Sequence, residues 1–173
     1  MAEIKSTMDI IMEKAKNLTV TDEDKKEFAA KEAQNRIRGL FQKYLDGVLS
    51  LNQFKTELTA FAEDQKQVAE KELLAECFSA MTVEGDNQPL FEVLERALEC
   101  DIRPVFSVMD AFLEQQRKER NKKALFLIQA LKERGVSGSA VIPNLKADST
   151  WRDYLSDMQE RFQGELKTLN LCP

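Results

Sequence analysis

The sequence predicts an all-α protein: a helical bundle of five to six amphipathic helices, two of them long, with a Gly/Ser-rich loop before the last. Three observations carry this. Apolar residues recur three and four apart along most of the 173 residues. Capping pairs such as Thr21 with Asp24 and Ser50 with Gln53 punctuate the periodic runs. Only "GSAVIP" has strand-like residues, and so short a strand needs a partner edge.

Ile4, Met8, Ile11, Met12 and Ala15 keep helical spacing, so a first helix is expected near residues 3–17. "LTVTDEDKKEF" interrupts it, and Thr21 with Asp24 caps a second helix from Asp22 to Leu45. Its expected buried stripe is Phe28, Ala33, Ile37, Leu40, Phe41 and Tyr44. Gly47 suits a left-handed cap at its end.

Ser50 and Gln53 then open a third helix, expected to run unbroken from Leu51 to near Met81. It should lie antiparallel to the second about Gly47, because short connections favour antiparallel neighbours. Pro89 starts a short fourth helix to about Glu99, with Leu90, Phe91, Leu94 and Leu98 inward. Pro104 opens a long fifth helix to Arg134. Its stripe is Val105, Met109, Phe112 and Leu113, then Ala124, Leu127, Ile128 and Leu131. Between the two groups lie ten polar residues, "EQQRKERNKK", where helical continuity is left open.

Gly135 stops that helix, and residues 135–149 form a Gly/Ser/Pro loop in which Ala140, Val141 and Ile142 should tuck over the bundle. Thr150 with Asp153 is the expected cap of a last helix within 150–170. Its buried set is Trp151, Tyr154, Leu155, Met158, Phe162, Leu166 and Leu169. The whole of 1–173 reads as one domain, with N-terminal helices in 1–82 and middle helices in 89–134.

The net charge is −5, with 32% charged and 43% hydrophobic residues. A mildly acidic chain repels a phosphate backbone, so nucleic acid is not an expected partner. The basic cluster Arg117, Lys118, Arg120, Lys122 and Lys123 is interrupted by Glu119 and lacks interleaved aromatics. It reads as a solvated helix segment. No targeting segment is expected in "MAEIKSTMDIIMEKAKNL", and "ALFLI" at Ala124 to Ile128 is too short to span a bilayer, so no membrane partner is expected.

There is no histidine, and the three cysteines, Cys77, Cys100 and Cys172, are far apart. A zinc site, a Ser-His-Asp triad and the Glu-x-x-His di-metal bundle therefore have no material. Cys77 and Cys100 read as buried hydrophobes and Cys172 as a terminal thiol, all in a reducing compartment. Around "YLDGVLSLNQF" the second half of a calcium loop is imitated, but Gln42, Tyr44 and Gln53 stand where its ligands belong. No metal and no cofactor are expected. Glu92, Glu95 and Glu99 read as an acidic solvated face.

"GVSGSAVIPN" is the one stretch with ligand-like grammar. Gly135, Ser137, Gly138, Ser139 and Asn144 read as a candidate ligand loop. A P-loop reading fails because a helix precedes the glycines and no Lys-Ser/Thr pair follows. Backbone amides there, with the start of the last helix, still leave room for an anion.

The opening "AEIKSTMDIIMEKAKNLTVTDEDKKEF" resembles the starts of small bacterial helical proteins of unknown function. The resemblance covers about the first thirty residues. It implies a bacterial cytoplasmic protein and carries over no functional residue.

These features point to a non-enzymatic interaction or scaffolding module. A helix of roughly thirty residues reaches about 45 Å, longer than such a domain is wide, so homodimerisation through long helices is expected. A further protein partner is left open. The alternative is a small-molecule or anion-binding domain with residues 135–144 as its lid.

Overall fold

The computed structural model describes residues 21–171. The first predicted helix and Cys172 lie outside the described residues. Six α-helices and no strand occur among the described residues, so the protein is all-α. They are α1 (Asp22–Leu45), α2 (Leu51–Thr59), α3 (Glu63–Ala80), α4 (Gln88–Glu92), α5 (Arg103–Glu133) and α6 (Ser149–Leu166).

α1 begins with a full capping box. The Asp24 amide donates to Thr21 Oγ1 at 3.1 Å, and the Thr21 amide donates to Asp24 Oδ2 at 2.9 Å. Ser50 and Gln53 do the same for α2. Gly47 (φ 72°) turns the chain between them in the left-handed region, where a Cβ is costly. Tyr44 meets Phe54 at 5.5 Å and Arg36 meets Glu57 at 3.2 Å, so the chain order reverses and α1 and α2 are antiparallel.

The expected single helix from Leu51 to Met81 is instead two. Thr59 Oγ1 donates to the Thr56 carbonyl and Thr56 Oγ1 to that of Asn52, pulling backbone acceptors off the helical ladder. Phe61 turns inward beneath the Arg36 guanidinium, 4.5 Å from its ring centre. Glu63 and Asp64 then favour a new helix start through the dipole. α3 returns parallel to α1, pinned where Arg38 bridges Glu72 and Glu76.

α4 opens with Pro89 in its first turn and runs into a π-turn over Val93–Ala97. The wider turn ends with Glu99 at φ 54°, an uncommon conformation for a residue with a Cβ. Asn87 is buried and closes the preceding loop by donating to the Thr82 carbonyl at 2.7 Å and accepting from its amide at 3.1 Å. α5 and α6 are antiparallel: Phe112 packs edge-on to Phe162 at 5.4 Å, and Lys123 pairs with Asp148 at 3.1 Å. Two glutamines of α6 reach α3's exit. Gln163 donates to the Ser79 carbonyl at 2.8 Å and Gln159 to that of Met81 at 2.7 Å.

Ile37, Phe54, Leu73, Met81, Leu94, Val105, Met158 and Phe162 form the centre of one core. Leu171 is buried too, and its carbonyl accepts from the Asp101 amide at 3.1 Å. Several expectations fail at the margins. Phe28 is 65% exposed: α3 reaches the early turns of α1 on the side of Lys26, Ala29 and Ala30, which lie with Asp64, Gln65 and Val68. Ile142 is 88% exposed, and Ala140 is exposed as well, so the strap does not tuck over the bundle. The polar run of α5 is continuous helix, yet Gln116 within it is buried. Ala124, Leu127, Ile128 and Leu131 are only half-buried and lie outside the core.

Cys77 is buried with a free thiol, which burial pushes well above the usual range. Cys100 is also buried but is disulfide-bonded, against the expectation of a reduced thiol. Among the described residues no helix is long and apolar enough to cross a membrane.

Candidate functional site

The loop after α5 divides the predicted ligand residues. Gly135 (φ 82°) is a helix cap: its amide donates to the Lys132 carbonyl and that of Val136 to the Leu131 carbonyl. That pair of bonds is a Schellman motif, which takes up the Gly135 and Val136 amides. Ser137, Gly138 and Ser139 are exposed and line no cavity with Asn144. Of the expected loop residues, Gly135 serves the cap, and Ser137, Gly138 and Ser139 stand apart from the cleft that Asn144 lines. Only Asn144 reaches a cleft, together with Pro143, Leu145 and Lys146.

That cleft has a volume of about 470 Å³ and lies between the polar run of α5 and the first turns of α6. Gln116 and Arg120 come from α5, Trp151, Arg152 and Leu155 from α6, and Glu84 from the loop before α4. Helical spacing explains the pairs: Gln116 with Arg120, and Trp151 with Leu155, are one turn apart on one face. Gln116 is only 5% exposed and makes no hydrogen bond to a described residue. The Tyr154 hydroxyl is the one described polar side-chain atom both sealed from solvent and unpaired. The Gln116 amide is therefore wetted, through the cleft it lines.

Asp148 holds the entrance to α6 in register. It accepts from the Thr150 hydroxyl at 2.6 Å and the Trp151 amide at 3.0 Å, and pairs with Lys123 at 3.1 Å. Thr150 first, then Lys123 and the Trp151 amide, draw its carboxyl down to about 2. Asp148, not the expected Thr150 with Asp153, is thus the cap of α6. Its side chain also reaches Lys123 across from α5, a non-local advantage the sequence does not display. Trp151 stacks on Tyr154 at 5.2 Å, and burial pushes the Tyr154 phenol upward.

A second feature lies at the far end of α5. Leu125 is 68% exposed and Phe126 is 67% exposed, although both sit on a regular helix. The last buried residue of α5 is Gln116, Lys123 pairs with Asp148 at the entrance to α6, and Phe126 lies beside Lys123 at the edge of a shallow hollow shared with Trp151 and Tyr154. The final turns, with exposed Val136 and Ile142 nearby in sequence, carry apolar surface that no described element covers.

The expected basic cluster is partly neutralised. Lys118 pairs with Glu114 at 2.7 Å, Lys122 with Glu119 at 2.7 Å, and Lys123 with Asp148. Of the carboxylates Glu92, Glu95 and Glu99, Glu92 accepts from Tyr44 at 3.3 Å and the other two are exposed. Among the described residues no group of three or more acidic or cysteine side chains is gathered as a metal site. Asp46 accepts from Gln42 at 2.8 Å, while Ser50 and Gln53 are taken up by their cap.

No protein-family model, curated protein or solved structure matches the chain.

Proposed function

We propose that the protein is a non-enzymatic protein-interaction module that pairs with a second copy of itself through the free end of α5. One observation carries this reading: Leu125 and Phe126 stand about two-thirds exposed on a continuous helix that has already left its core. Contiguous apolar surface of that kind is costly in water and is characteristic of contact sites. A two-fold axis lets one patch bury itself against its own copy, which is why symmetric dimers predominate.

No catalytic role is proposed. The chain has no histidine, and the cleft places only one carboxylate, Glu84, among its lining groups. The N-terminal resemblance supports a bacterial cytoplasmic home. The Cys100 disulfide pulls the other way, since cytosolic thiols are held reduced. The alternative, a ligand domain lidded by residues 135–144, keeps Pro143 and Asn144 at a cleft.

Light scattering on the eluting full-length protein tests the dimer. The wild type should elute at twice its 19.8 kDa chain mass, and Phe126→Glu should elute at the single mass with an unchanged circular-dichroism spectrum. A wild type that stays monomeric at high concentration would sink the reading.

A further inference from the structure

We infer that the cleft between α5 and α6 binds a small organic phosphate. Three cations, Arg120, Lys146 and Arg152, converge on it, and none of them forms an ion pair with a described residue. Their neighbours behave differently. Lys118, Lys122 and Lys123 of the same helix each hold a carboxylate. Only one acid, Glu84, offsets the three cations in the cleft. Two guanidinium groups and an ammonium favour phosphate oxygens, which accept from a planar fork in pairs.

Gln116 is the independent observation. A side chain this deeply buried normally finds a protein partner for its amide. Here the residue is 5% exposed, has no hydrogen-bond partner among the described residues and lines the cleft. It offers both a donor and an acceptor, which suit the polar edge of an organic group. Trp151, Leu155 and Pro143 supply an apolar wall beside it, and Glu84 can accept from a hydroxyl or amino group. The volume, about 470 Å³, falls in the range of small-molecule sites. Phosphate at the cations, a polar edge at Gln116 and an apolar body against the wall together match the lining.

Trp151 is the only tryptophan of the chain and lines the cleft, so its emission reports occupancy. The full-length protein is titrated with adenosine monophosphate, ribose 5-phosphate and phenyl phosphate, alongside inorganic phosphate and adenosine, with calorimetry as a second readout. At least one organic phosphate should give a saturable change below roughly 1 mM, where ordinary metabolite sites fill. Inorganic phosphate and adenosine should bind more weakly than that ligand. Arg120→Gln, an exposed position, should weaken it about tenfold or more through loss of a charge-assisted bond. Gln116→Leu, an apolar near-isostere, should weaken it while keeping the fold. Absence of saturation by all three organic phosphates, equal binding of inorganic phosphate, or affinity unchanged in both variants would overturn the assignment.

Discussion

The two halves of α5 share one helix and one apolar rhythm but meet different fates. In the first half, Val105 and Phe112 are buried against α6 and the core. In the second, Ala124, Leu127, Ile128 and Leu131 continue the same spacing and reach no core residue. Periodicity fixes which face of a helix is apolar; it does not supply something to pack against. Burial is decided by how far α6 extends, and α6 starts at Ser149, opposite Lys123. Beyond that point α5 has no fully buried residue, and its end is closed by the Schellman cap.

Mutations should separate the halves sharply. Phe162→Ala removes a fully buried ring that packs on Phe112, and should cost about 3–5 kcal/mol in urea unfolding. A loss under about 1 kcal/mol would mean the near half is as loosely packed as the far one. Asn87→Ala, also on the packed side, strips both bonds to Thr82 and should cost about 1–3 kcal/mol by the same measurement.

The junction between the halves should respond to acid. Asp148 has a folded-state value of about 2 against an ordinary 3.8, so its ionised form favours the folded state. Its contribution is full above the ordinary value and is lost as pH falls through about 2. Wild-type Trp151 emission should therefore report loosening of the α6 entrance within that acid window, and Asp148→Asn should flatten the change. Tyr154→Phe, which removes a sealed and unpaired hydroxyl nearby, should leave stability unchanged or raise it by about 1 kcal/mol in thermal melts. Smallest of all, Leu125→Ala on the far half should shift monomer stability by less than about 0.5 kcal/mol, because little is buried there.

The contrast also marks what could be read from the chain. Helix starts were visible at Thr21 and Ser50, where the cap and its partner are three residues apart. The break at Thr59 was not, because it depends on Phe61 finding Arg36 on another helix. The cap at Asp148 was hidden for the same reason: its partner Lys123 is distant in sequence. At the cleft, Asn144 belonged to the suspected loop, but Gln116 lay in a polar run that composition alone marks as solvated. A glutamine becomes informative only once its surroundings are known. One weak signal was present, since Gln116 falls four residues after Phe112 on the stripe of α5.

Gln159 and Gln163 tie the carbonyls of Met81 and Ser79, and Gln159 also accepts from the Val83 amide at 3.3 Å. Carbonyls at a helix end would otherwise turn to water and fray. With these ties in place, the exit of α3 cannot loosen unless α6 lifts away with it. In native-state hydrogen exchange, backbone amides around Met81 and those in the middle of α6 should then open as a single unit, although about eighty residues of chain separate them.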